Sequence, residues 1–249
     1  MKLNKKIQKN KGKLVFLKNI NRSKYFYGGD VLGIKENIQN IQNEMPENVT
    51  LVAVSKTKPL EDLLEAYDFG IRDFAENKVQ ELVFKEENFH KDVRWHFIGS
   101  LQTNKVKYLV NKVHLIHSLS STNLLLKIEN EFRKANKIAN TLIQINIGRE
   151  ESKSGVLEEN LLDLIEMIEK CDFVKVKGLM VIIPKGNDEI NRYYFKKTKK
   201  IFDTLKEKDY KNISMEILSM GMSNDYKVAI DEGSTLIRVG TGIFGIRKI

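Results

Sequence analysis

Residues 50–75 read TLVAVSKTKPLEDLLEAYDFGIRDFA, and this stretch decides the fold. Thr50 to Ser55 is a valine-rich run with strand character, closed off by Pro59. Glu61 to Phe69 then places apolar residues at three- and four-residue spacing, and Arg72 to Ala75 returns to a short strand pattern. Strand, helix, strand is the signature of parallel pairing, because parallel neighbours need a crossover between them. The same unit recurs outward along the chain. Further β-rich runs lie at Arg94 to Ile98, Val113 to His117, Thr141 to Ile147, Val176 to Ile183, Ser214 to Leu218 and Leu236 to Val239. Helical patterns fall at Leu124 to Asn136, Glu158 to Lys170, Asn191 to Lys206 and Asp225 to Asp231. A first amphipathic helix, Gly33 to Glu44, carries Ile34, Ile38 and Ile41 and stops before Pro46. Eight strands at this spacing predict one α/β domain, a closed parallel (β/α)8 barrel of the TIM type; an open doubly wound sheet is the alternative if two short strands are misread. With only Pro46, Pro59 and Pro184, and no Ser/Gly-rich linker, nothing marks a second domain between residues 31 and 249.

The 249 residues are 41% hydrophobic and 30% charged, and no apolar run approaches the roughly 20 residues of a membrane span. The single Cys171 excludes an internal disulfide and a multi-cysteine metal site, reads as structural, and fits a reducing, cytoplasmic setting. The net charge of +9 invites a nucleic-acid reading, but its location argues against one for the folded body. Residues 1–29 hold eight lysines and Arg22 with no acid, leaving 33 basic and 33 acidic residues elsewhere. We therefore read residues 1–30 as a basic extension, either a solvated tail or an organelle-targeting segment, ahead of the barrel at 31–249. Leu14 to Leu17 is too short for a secretory core.

Barrels of this kind carry their sites at the C-terminal ends of the strands. The first strand ends at Lys56, which shares the face of Val52 and Val54; if that face looks inward, the amine sits at the barrel mouth, where desolvation frees it for imine formation. Lys58 has the same parity but precedes Pro59 and is the weaker candidate. After the seventh strand, Ser219-Met220-Gly221-Met222-Ser223-Asn224-Asp225 forms a turn in which Ser223 is placed to cap the next helix. After the eighth, Arg238-Val239-Gly240-Thr241-Gly242 offers glycines that admit close backbone approach and a hydroxyl on Thr241. These are the two loops in which barrels frequently hold phosphate, and strands eight and one are neighbours once the barrel closes. A lysine beside a phosphate cup suggests pyridoxal 5′-phosphate. Arg238, inward with Leu236, is either a rim ion pair or a permanently charged donor facing the pyridine nitrogen. His96 alone reads as a packed, hydrogen-bonded histidine.

Val54 to Pro59, Phe74-Ala75-Glu76-Asn77, Trp95 to Lys105, Ser152-Lys153-Ser154-Gly155, Gly178-Leu179-Met180, Ser219 to Ser223 and Val239 to Gly245 together resemble the pyridoxal phosphate homeostasis protein family. The resemblance runs from about Leu32 to the C-terminus. It implies a fold-type III barrel related to the N-terminal domain of alanine racemase, without the C-terminal β domain, and Lys56 as the Schiff-base lysine. It also implies phosphate contacts at Ser223, Gly240 and Thr241, Arg238 facing the pyridine nitrogen, and Asn77 and His96 lining the pocket. Ala75 departs from the glycine usual before Glu-Asn, and the basic arm has no counterpart in the family core. The implied function is carriage and regulation of the cofactor in vitamin B6 homeostasis, not catalysis, with pyridoxal-phosphate-dependent apoenzymes as recipients. The alternative is an amino-acid racemase, which would need a second, β-rich domain after the eighth strand to supply its base. No membrane, metal or nucleic-acid partner is expected; oligomeric state stays open, with a monomer favoured.

Overall fold

The structure is a computed structural model that describes residues 33–151 and 153–246. The basic extension at 1–30 lies outside the described residues. Eight parallel strands close on themselves in chain order: β1 (Thr50–Val54), β2 (Asp73–Glu76), β3 (Arg94–Phe97), β4 (Leu115–Leu119), β5 (Ala139–Ile145), β6 (Val174–Val181), β7 (Ile213–Ser219) and β8 (Leu236–Val239). The seam is β8 on β1, with Thr50 beside Leu236 and Val52 beside Arg238. This is the barrel, and the open-sheet alternative falls away.

Alternation along β1 builds two cores at once. Leu51 and Ala53 join the large shell between sheet and helices, packed with Ile38 of α1 (Ile34–Glu44), Leu63 of α2 (Leu60–Asp68) and Leu82 of α3 (Val79–Asn88). Val52 and Val54 point the other way, into an interior cluster with Ala75 and Leu236. Both faces of the sheet are buried, which explains why the strand sequences are nearly continuous apolar runs. The Lys56 face is therefore the inner face.

The outer layer is completed by α4 (Thr122–Lys134), α5 (Leu161–Glu169), α6 (Asp188–Lys206), α7 (Tyr226–Asp231) and the short α8 (Thr241–Phe244). Ser121 caps α4 by accepting from the Leu124 amide at 3.2 Å, and Asn187 caps α6 by accepting from Ile190 at 3.0 Å. Two crossovers depart from the sequence reading. β3 reaches β4 through a 3₁₀ turn, Thr103–Tyr108, and the amides of Lys112 and Val113 fold back on Leu109, so β4 starts at Leu115 instead of Val113. The first part of the Glu158 to Lys170 pattern is a 3₁₀ turn, Glu158–Asn160, and α5 proper begins at Leu161. Among the described residues no helix is long and apolar enough to cross a membrane.

Candidate cofactor site

A cavity of about 790 Å³ opens at the C-terminal end of the barrel. Six of the seven residues singled out from sequence line it: Lys56, Asn77, Ser223, Arg238, Gly240 and Thr241. His96 does not. It lies in mid-strand on β3, and Ile98, two residues on and on the same face, takes the position at the cavity wall. The expectation that His96 lines the pocket is corrected: its ring sits in the layer beneath.

The turn bearing Lys56 is clamped from below. Ser55 Oγ donates to Glu76 Oε1 at 2.6 Å, and the buried Lys85 ammonium donates to Ser55 O at 2.8 Å and to Glu76 Oε1 at 2.7 Å. Lys85 also reaches Glu81 Oε1 at 2.8 Å, the atom that accepts from the Thr57 amide at 2.6 Å. Lys56 thus stands between two residues anchored by one ion-pair network, and Thr57 takes a left-handed backbone with φ 66°. Burial pushes the Glu76 carboxyl up to about 7, against the opposing pull of Lys85. Neither Glu76 nor Lys85 was assigned a role from sequence. The available signal was Lys85 itself, which occupies the buried face of α3 with Leu82 and is only 3% exposed.

The two candidate phosphate loops are tied to each other. Ser223 does not cap α7: that helix begins at Tyr226 behind Asp225, whose side chain accepts from the Met222 amide at 2.5 Å. Ser223 Oγ instead accepts from the Gly242 amide at 3.1 Å, joining the β7 and β8 loops across the cavity edge. Gly240 packs against β1, where an added Cβ would meet Val54 at 3.2 Å from its carbonyl oxygen and 3.3 Å from its own Cβ. Lys58, discounted as an attachment point, donates to Phe244 O at 2.7 Å and so fastens the end of α8 to the loop after β1.

Arg238 is buried, 3% exposed, on the inner face of β8. It donates to Ser219 Oγ at 2.5 Å and to Val181 O at 2.8 Å, so the rim ion pair considered from sequence is not its role. Burial lowers the guanidinium to about 10, with Asp225 acting in the opposite sense, and it stays charged at neutral pH. Beneath it, Ser219 Oγ lies 3.1 Å from His117 Nδ1, His117 Nε2 lies 2.9 Å from His96 Nδ1, and His96 Nε2 lies 3.0 Å from Asp73 Oδ1.

The family described as alanine racemase, N-terminal domain, matches residues 30–248. The pyridoxal phosphate homeostasis protein of Aquifex aeolicus is 48% identical over 200 residues, covering 80% of this chain and 87% of the relative. Among solved structures, PipY of Synechococcus elongatus without PLP superposes with a TM-score of 0.81 at 32% identity, covering 85% of this chain and all of PipY. The same protein with PLP bound gives 0.79 at 31% identity and the same coverage. With the closed barrel, the lysine at its mouth and these relatives in agreement, the chain belongs to the pyridoxal phosphate homeostasis protein family, within the group built on the alanine racemase N-terminal domain.

Proposed function

We propose that the protein binds pyridoxal 5′-phosphate at the mouth of the barrel, with Lys56 as the Schiff-base lysine, and acts as a carrier and regulator of the cofactor. The observation that carries this reading is the convergence of an amine, two tied loops and a buried cation on one cavity. The residues fit the group. Gly240 lets the β8 loop lie close against Val54 of β1, and Ser223, Gly240 and Thr241 together line the cavity edge where a phosphate would sit. Arg238 presents a charged donor at the cavity wall, where an acceptor such as a pyridine nitrogen offsets the cost of its burial. The relatives support the cofactor: they carry the homeostasis name, and PipY is solved with PLP.

When bound, the cofactor supplies an aldehyde that exchanges reversibly between amines. The chain's part is to bind and orient. The residues on either side of Lys56 are held by the Lys85 network with Glu76 and Glu81, Ser223 and the Gly240–Thr241 turn would take the phosphate, and Asn77 lines the same cavity. Arg238 is donor-only and stays charged at neutral pH, so it would offer the ring nitrogen a hydrogen bond but could not accept one from a protonated nitrogen, and the site would favour holding the cofactor over carbanion chemistry. The test is absorbance near the roughly 420 nm band of an internal imine, followed by borohydride reduction and peptide mapping. We expect a band and a reduced adduct on Lys56, both lost in Lys56→Ala. A folded wild-type protein without a band refutes the reading, and amino-acid racemisation by pure protein, abolished in Lys56→Ala, would replace the carrier with an enzyme.

A further inference from the structure

Five polar side chains inside the barrel form one continuous line: Arg238 on β8, Ser219 on β7, His117 on β4, His96 on β3 and Asp73 on β2. Its two ends can each do only one thing. A guanidinium only donates, and an ionised carboxylate only accepts. Burial alone would raise the Asp73 carboxyl, but the hydrogen bonds from His96 and Arg94 outweigh it and hold the group at about 2, so it is ionised at neutral pH. Burial pulls His117 well below the ordinary histidine range, with the nearby His96, Arg238 and His114 acting in the same sense, so its imidazole is neutral.

With both ends fixed and one proton on each imidazole, the hydrogens can be counted. Four contacts need four hydrogens: one from Arg238, the Ser219 hydroxyl proton, and one from each imidazole. Asp73 requires His96 to carry its proton on Nε2, which leaves Nδ1 as an acceptor. His117 must then donate from Nε2 and accept at Nδ1 from Ser219, whose oxygen accepts from Arg238. With one proton on each ring, any other tautomer puts two donors or two acceptors face to face between buried groups.

We propose that Asp73, His96, His117 and Ser219 form a single polarised hydrogen-bond chain that orients Arg238, making Asp73 a positioning residue for the cation at the cavity wall although it enters from the opposite end of its strand. Arg238 needs such a device. Its hydrogen bonds among the described residues go to a hydroxyl and a carbonyl, not to a carboxylate, and Asp225 acts on it only through space. The chain supplies a negative pole in line with the guanidinium. Arg94, exposed at the start of β3, completes that pole, at 2.7 and 2.5 Å from the two Asp73 oxygens.

The chain itself is tested without cofactor, by nitrogen NMR of the histidine-labelled full-length protein at neutral pH. Both His96 and His117 are expected as the Nε2–H tautomer; His117 protonated on Nδ1 would overturn the proposal. In Asp73→Leu the direction is no longer imposed from that end, so Nδ1–H His117 should appear two hydrogen bonds away from the change. An unaltered His117 in that folded variant would show that Asp73 does not set the direction, and if the variant does not fold the wild-type tautomers still decide. The consequence for the site rests on the cofactor reading above: Asp73→Leu should weaken pyridoxal phosphate binding about tenfold, the size of one hydrogen bond to a charged group, while keeping the reduced adduct on Lys56. Unchanged affinity would remove Asp73 as a positioning residue. Absence of any Lys56 adduct in the wild type would sink the cofactor reading instead, leaving the tautomers to judge the chain.

Discussion

Ser55, Glu76 and Lys85 bury an ion pair directly under the Lys56 turn, with Lys85 3% exposed and Glu76 fully buried. Such a pair contributes little net stability, since desolvating two charges consumes most of their attraction. Its value is geometric: one ammonium with three donors satisfies a backbone carbonyl and two carboxylates, and so locks the residues on either side of Lys56. Cys171 shows the opposite use of burial. It is 3% exposed at the end of the α5 segment, and desolvation pushes its thiol up to about 11. At pH 8 the native thiol should therefore alkylate roughly two orders of magnitude more slowly than a free cysteine, and regain ordinary reactivity in denaturant. Timed iodoacetamide labelling with mass detection checks this, and rapid native labelling would contradict the assigned burial.

At the level of elements, the barrel turns its corner where β6 meets β7. The pairing register shifts between Val176 and Gly178, and Gly178 takes φ +147°. A Cβ there would sit 1.8 Å from Ile217 O, inside the neighbouring backbone. Gly178→Ala should accordingly cost at least about 2 kcal/mol, or roughly 4–8 °C in Tm by calorimetry, because both the dihedral and the close approach are forbidden to a side chain. A Tm within a degree of wild type would mean that the strand pair relaxes freely. Gly99 plays a similar part at the site, lying so close to Asn77 that a Cβ would come within 2.1 Å of its carbonyl oxygen. The β2 and β3 loops can thus share one side of the cavity.

Across the whole molecule, the site exists because the barrel closes. Lys56 comes from β1 and the Gly240–Thr241 turn from β8, and the β1–β8 ladder brings these ends of the described domain together. Two further ties hold the seam at its upper edge: Asn37 of α1 donates to Ile243 O at 2.9 Å, and Lys58 donates to Phe244 O at 2.7 Å. Lys58→Met should loosen the turn after β8 without touching the attachment chemistry. We expect pyridoxal phosphate affinity to fall about three- to tenfold, measured by equilibrium titration of the absorbance band, with the borohydride adduct still on Lys56. Transfer of the adduct away from Lys56, or an affinity equal to wild type, would mean that Lys58 does not serve as a fastener.

The alternation of strand and helix was legible in the sequence because periodicity is a local property: Val52 and Val54 against Leu51 and Ala53, or Ile34, Ile38 and Ile41, announce their element within a few residues. The gathering of Lys56, Ser223, Gly240 and Thr241 around one cavity was legible as well, since a closed parallel barrel must bring its strand ends to one rim. What only the tertiary structure decided was depth and partnership. His96 and Ile98 share a face, and only the layering of the barrel interior shows that Ile98 reaches the cavity and His96 does not. Ser223 looked like the cap of the helix that follows it, and became the partner of Gly242, 19 positions away. His117 meets Ser219 across 102 positions. Such contacts are set by strand register and by the bulges between β4 and β7, which depend on how all eight strands close together and leave no trace in the spacing of any one of them.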